Sequence, residues 1–190
     1  SSDVCSSDLK GSAARDEAIT RTALNGLWGS IVAIGFAVDD GDPMVVTADD
    51  EASLLETFEM LLNMEMVVRY GDNTDWRVQG RWIGHNIEAF DLRYIWQRSR
   101  ICGVHLDIGL PLKRTDSHRR YDTMLEWAGW NGRVAQRDLE FAFNLVRVDP
   151  LPNGGADVHN ALRSGRLADV VAHCKEDIRL VREIHKRLTA

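Results

Sequence analysis

Two aspartates, far apart in the chain, have neighbours suited to metal-ion chemistry. Asp91 lies in Arg81-Trp82-Ile83-Gly84-His85-Asn86-Ile87-Glu88-Ala89-Phe90-Asp91-Leu92-Arg93-Tyr94-Ile95. This stretch reads as a short strand running into an amphipathic helix, with Phe90, Tyr94 and Ile95 on one face. Gly84 permits a tight exit from the strand, and Asn86 is the expected N-cap. Asp91 then falls near the first turn, where the helix dipole favours a negative charge. A carboxylate at such a junction suits a hard divalent cation. Asp177 lies in Ala172-His173-Cys174-Lys175-Glu176-Asp177-Ile178. Its i, i+4 spacing from His173 puts both side chains on one helical face. From there His173 is able to orient or deprotonate a water bound to a metal at Asp177. The plainer readings are a capping aspartate in the first stretch and a helix-surface pair in the second.

Gly84, His85, Asn86, Phe90 and Asp91 match the pattern Gly-His-Asn-x-x-x-Phe-Asp. In this the chain resembles the second motif of the DnaQ-like 3′–5′ exonucleases of the DEDD superfamily, where the aspartate is a metal ligand. His173 and Asp177 resemble that family's third motif. They have the spacing of the Tyr-x-x-x-Asp branch but carry histidine in place of tyrosine. Softer likenesses are Trp28 to Asp40 to a second strand, Tyr121-Asp122-Thr123-Met124 to a stretch after motif two, and Gly165-Arg166-Leu167 to the turn before the last helix.

The resemblance covers roughly residues 20–188. It implies a ribonuclease-H-like mixed β-sheet flanked by helices, and a 3′–5′ exonuclease that hydrolyses phosphodiester bonds with two Mg²⁺ or Mn²⁺ ions. Asp91 and Asp177 would be the metal ligands and His173 the general base or water-orienting group. His85, Asn86 and Arg93 would meet the substrate, a single-stranded or 3′-ended nucleic acid, with DNA the first expectation and RNA left open. Arg98, Lys113, Arg114, Arg119 and Arg120 are further candidates for phosphate contacts. The family's first motif, Asp-x-Glu on a leading strand, is absent. Asp49-x-Glu51 has the spacing but follows a hairpin and reads as an acidic helix start. A nearly inert nuclease is therefore expected. The alternative from another class is a non-catalytic ribonuclease-H-like module that binds nucleic acid or a protein.

The elements that must position these residues follow from pattern. Residues 10–26 read as a helix closed by the Asn25-Gly26 turn signal. Ser30 to Val38 and Met44 to Thr47 read as two strands of an antiparallel hairpin about Asp39-Asp40-Gly41-Asp42-Pro43. A helix starting at Thr47 or Asp49 carries Leu54, Leu55, Phe58, Leu61 and Leu62 at helical spacing. The polar stretch Tyr70 to Asp75 breaks it before the strand ending at Ile83, and the motif helix runs to about Arg100. Residues 103–120 read as a loop, Tyr121 to Leu125 as a strand entering a helix, Arg137 to Phe143 as a short helix and Asp149 to Gly155 as a loop. A short helix near His159 to Arg163 precedes a long one from about Leu167 to Leu188. Its apolar stripe is Val170, Val171, Cys174, Ile178, Val181, Ile184 and Leu188. This order predicts an α/β domain, a mixed sheet covered by helices and lacking its leading strand.

Composition sets outer limits. The 190 residues suffice for one domain with a sizeable core. A formal charge of −6 gives no general attraction to nucleic acid, so such binding must rest on local basic groups and metal ions. No apolar run has the length of a membrane span, and no membrane partner is expected. The three cysteines form no metal or redox motif, which suits a reducing cytoplasm. Residues 1–9, Ser-Ser-Asp-Val-Cys-Ser-Ser-Asp-Leu, stand apart from the rest. They translate one frame of a common short-read library adapter (AGT TCA GAC GTG TGC TCT TCC GAT CTN). We read them as an artefactual tail, excluded from fold reasoning. Residues 10–190 are then a single exonuclease-like domain, incomplete at its N-terminus.

Overall fold

Leu54, Leu55, Phe58 and Leu62 recur at helical spacing, and they build the main core. They lie on α1 (Glu51–Glu65), and all four are buried. Asp50 caps this helix, accepting from the Ser53 backbone N–H at 2.9 Å and the Ser53 hydroxyl at 2.6 Å. The computed structural model describes residues 25–65, 67–70, 74–77 and 80–190, with 67–70 and 74–77 by their backbone alone. The expectation for residues 1–9, and that of a helix over 10–26 as far as residue 24, lie outside the described residues. Asn25 does open a turn, its carbonyl accepting from Trp28 and Gly29.

Against α1 lies a hairpin of β1 (Ile34–Phe36) and β2 (Met44–Val46), antiparallel with Gly35 opposite Val45. The expected strand from Ser30 is shorter than its composition suggests. The Ile31 N–H goes to the Glu51 carboxylate at 2.7 Å rather than to a strand partner. Phe36 meets Phe58 edge to face, ring centres 5.4 Å apart. Ile95, Val104, Leu106 and Ile108 close the same core. The expected break after α1 contains an antiparallel hairpin instead, β3 (Val67–Tyr70) with β4 (Thr74–Arg77).

The motif strand is β5 (Trp82–Gly84), and it leads to α2 (Asp91–Ile101). β5 pairs in parallel with β6 (Arg120–Asp122), Gly84 opposite Asp122. Between α2 and β6, where a loop was expected, Arg114–Arg119 forms a 3₁₀ turn. Three short helices follow: α3 (Thr123–Ala128), α4 (Gln136–Ala142) and α5 (Gly155–Arg163). The chain closes on α6 (Leu167–Thr189).

The molecule is thus mixed α/β. Where one mixed sheet was expected, the described residues form three separate two-stranded ladders. α6 spans two of them, packing on β1, β2 and β5 and on α3, α4 and α5. Gly35 explains the close approach to β1. A Cβ there would sit 2.8 Å from Ile178 Cδ1 and 3.3 Å from Cys174 Cβ. A smaller core of Leu151, Ala161 and Val170 seats α5 on α6.

Candidate functional site

The turn between β5 and α2 is held by side chains from the neighbouring strand. Gly84 is required at its start, because a Cβ would meet the Ile87 side chain at 2.7 Å. Asn86 takes a left-handed conformation, φ 59°. Asn86 is not the N-cap that its type suggests. The cap position is Phe90, without a side-chain cap bond, and the intervening residues form a turn. The buried carboxylate of Asp122 organises that turn. It accepts from the backbone N–H of Asn86 at 2.8 Å and of Glu88 at 3.2 Å. It also caps α3 through the Met124 N–H at 3.0 Å.

His85 is committed to the protein itself. Its Nε2 lies 2.9 Å from the Val134 carbonyl, which only accepts, so Nε2 carries the proton. Nδ1 then accepts from the Thr123 hydroxyl at 3.0 Å, a closer partner for that proton than the Gly84 carbonyl at 3.2 Å. The His85 ring and the Asn86 backbone N–H thus fasten the motif turn to the β6–α3 junction.

Asp91 is the first residue of α2 and is solvent-exposed by area. Protein nevertheless crowds round it, and its carboxyl is pushed up to about 7. The first cause is lost solvation; the negative charges of Asp122 and Asp177 add to it, against the Asp91 N–H, which favours the ionised form. Asp91 and Asp177, expected to meet, are close enough for one charge to act on the other. Beside Asp91, an open groove is lined by Asn25, Gly26, Ala89, Phe90, Arg93, Tyr94 and Gln97. Arg93 is exposed and leans over the Trp96 ring at 5.9 Å. Two of the candidate phosphate ligands are occupied internally. Arg98 forks onto Glu51 at 2.8 and 2.5 Å and donates to the Gly26 carbonyl. Arg120 donates to the Pro111 and Lys113 carbonyls and pairs with Glu88 at 3.2 Å.

On α6, His173 and Asp177 do share a face, His173 Nε2 lying 3.3 Å from Asp177 Oδ2. His173 is buried, and its Nδ1 lies 2.8 Å from Asp149 Oδ2. Arg147 completes the cluster. Its Nη1 is 2.6 Å from Asp177 Oδ1 and 2.9 Å from Asp149 Oδ2. Its Nε and Nη2 grip the buried carboxylate of Glu140 at 2.9 and 2.6 Å. These carboxylates raise the Arg147 guanidinium's affinity for its proton, Glu140 foremost. Burial would raise the Asp149 carboxyl, but the Leu151 N–H, His173 and Arg147 outweigh it and hold it low. Cys174 is no thiolate: burial, with Asp177 and Asp149, pushes its thiol up to about 11.

Sequence reasoning missed Asp122, Glu140, Arg147 and Asp149. Asp122 had a signal, an aspartate directly before a Thr-Met-Leu-Glu helix start. Glu140, Arg147 and Asp149 had none, since their partners are assembled only by the fold. Among the described residues, no three His, Cys, Asp or Glu side chains converge to hold a metal ion. Asp122 spends its oxygens on backbone N–H groups, and Asp177 is engaged by Arg147. Among the described residues the donor set for two ions is therefore not assembled. Among the described residues no helix is long and apolar enough to cross a membrane. No family model matches the chain, and no curated protein matches it.

Proposed function

We propose that the chain is a DnaQ-like, ribonuclease-H-like domain of the metal-dependent 3′–5′ exonuclease class, acting on the 3′ ends of nucleic acid, DNA or RNA. Asp91 and Asp177 are its metal-facing carboxylates, His173 its general base, and Arg93 with the groove beside Asp91 its contact to the terminal nucleotide. The supporting observation is that α6, which carries His173 and Asp177, packs on β5, the strand whose turn leads to Asp91. Asp122 ends the parallel strand β6 beside the end of β5, and its carboxylate holds the turn that leads to Asp91. The edge beyond the carboxyl ends of parallel strands is the usual place for a ligand. Two Mg²⁺ or Mn²⁺ ions are the cofactors the resemblance implies. Because the donor set present does not fit two ions, no reaction step is assigned to them.

The second reading, a non-catalytic module that binds nucleic acid or a protein, is favoured by one observation: Arg147 already neutralises Asp177. The test is digestion of 3′-labelled single-stranded DNA and RNA with Mg²⁺ or Mn²⁺, with and without chelator. The chain is assayed alone and with a strand carrying Asp-x-Glu supplied ahead of residue 25. The enzyme reading expects little release from the chain alone and cation-dependent release of mononucleotides from the supplemented form. Asp91→Ala abolishes that release, and His173→Ala slows it by roughly 10²–10⁴. If the supplemented protein releases nothing from either substrate, the binding module is the better account.

A further inference from the structure

The outer face of α2 carries a basic stripe that begins in the groove beside Asp91. Trp96, Gln97 and Arg100 follow Arg93 at three, four and seven residues. That spacing puts all four on one face of the helix. The third arginine of α2, Arg98, is turned inward onto Glu51. Arg93 and Arg100 are exposed, and among the described residues neither has a carboxylate partner. Both lean on the Trp96 ring, their guanidinium carbons 5.9 and 6.0 Å from its centre. The Trp96 side chain is still 37% exposed. Arg100 Nη1 also lies 3.5 Å from His105 Nδ1. The charge of this face opposes that of the chain. The formal charge is −6, yet no Asp or Glu falls between Leu92 and Leu106. The nearest carboxylates in sequence, Asp91 and Asp107, stand at the two ends, and Asp107 is paired with His105 at 3.0 Å.

We propose that this stripe is a binding track for single-stranded nucleic acid, with Arg93 and Arg100 gripping its phosphates and Trp96 steadying both guanidiniums. It rests on the reading of the chain as one that takes nucleic-acid ends, and it extends that reading from the terminal nucleotide to those beyond it. Arg93 belongs to both, since it lines the groove beside Asp91 and starts the stripe. Seven residues of helix carry the track from Arg93 to Arg100, about 10 Å. That is room for more than one backbone charge. A polyanion fits because two guanidiniums present their donors with no internal carboxylate to satisfy them. A single strand fits because an aromatic ring among basic groups suits unstacked bases, whereas a duplex hides its base faces. The cation–π contacts restrict two long side chains in advance, so less freedom is lost on binding. The negative charge of the rest of the chain confines the strand to this face.

The experiment is fluorescence anisotropy of end-labelled oligo-dT and oligo-U with the whole chain, in chelator and over a range of NaCl concentrations. Chelator removes metal ions and cleavage, so the result does not depend on catalysis. The proteins are the parent, Arg93→Gln, Arg100→Gln, the pair of these, Trp96→Ala, Trp96→Phe and Arg163→Gln. Arg163, exposed at the end of α5, is the charge control. All these positions are exposed, so the variants should fold. Each track arginine removed should lower the slope of log affinity against log salt by about 0.7, and the pair by about 1.4. Arg163→Gln should leave the slope unchanged. Trp96→Ala should weaken binding at an unchanged slope, and Trp96→Phe should restore most of the loss. If the parent binds while the Arg93 and Arg100 variants match Arg163→Gln, the track is wrong and the nucleic-acid reading stands. If oligoglutamate of equal charge displaces the strand as well as unlabelled oligo-dT does, the face docks an acidic protein and the track is wrong. If the parent binds neither oligonucleotide, the nucleic-acid reading falls and takes the track with it.

Discussion

Asp91 carries the clearest thermodynamic signature in the molecule. Its carboxyl has an ordinary value of 3.8 and is raised to about 7 in the fold. Between those values the folded chain holds more proton than the unfolded chain. Its contribution to stability is therefore present at low pH and is lost as pH rises through about 7. Asp91→Asn should stabilise the chain at pH 8 and change little near pH 4. Because the side chain is exposed, solvent screening limits the gain to about 1 kcal/mol, or roughly 3 °C in Tm. Thermal melts at the two pH values check this; equal effects at both would remove the charge argument. Asp149 has the opposite sign: its carboxyl is held low, so its contribution is lost as pH falls. The importance of Asp91 was legible in sequence from its place in the motif. That of Asp149 was not, since Asp149-Pro150 reads only as loop, and its contacts to His173 and Arg147 exist only in three dimensions.

At the scale of elements, Asp122 joins what the chain separates. One carboxylate caps α3 and satisfies two N–H groups of the motif turn. Asp122→Ala leaves those donors without it and should cost about 2–3 kcal/mol. Asp122→Asn should cost less. Its oxygen can keep the bonds from Asn86 and Met124, which both use Oδ1, while the Glu88 bond to Oδ2 is lost. Urea unfolding of the two variants measures this order, and equal losses would contradict it. Helix positions were legible because apolar spacing is local: α1 buries Leu54, Leu55, Phe58 and Leu62 as its pattern required. The buried face of α6 differs from the expected stripe, of which Val171, Cys174, Ile178, Val181 and Leu188 are only half-buried. It includes His173, Glu176 and Leu180 besides Val170 and Ile184. Apolar periodicity cannot register polar residues that are buried because they are paired, as His173 is with Asp149 and Glu176 with the Val148 N–H. The strand ends were likewise invisible. Gly35 marks the contact with α6, and Gly35→Val should cost about 2 kcal/mol by crowding Cys174 and Ile178.

For the whole molecule, the order of strands and helices was readable, but the strand pairing was not. Pairing depends on partners distant in sequence, and the expected single sheet is three ladders among the described residues. α6 spans the β1–β2 and β5–β6 ladders and so brings Asp177 toward the turn that follows β5. The functional account depends on this one convergence. The most direct test is a ¹³C-carboxylate NMR titration of Asp91 in the parent, in Asp122→Asn and in Asp177→Asn. The account predicts an Asp91 midpoint near 7 in the parent, moved down in each variant as a neighbouring negative charge is removed. An Asp91 that titrates as an ordinary carboxylate, and is indifferent to Asp177→Asn, would contradict the shared site.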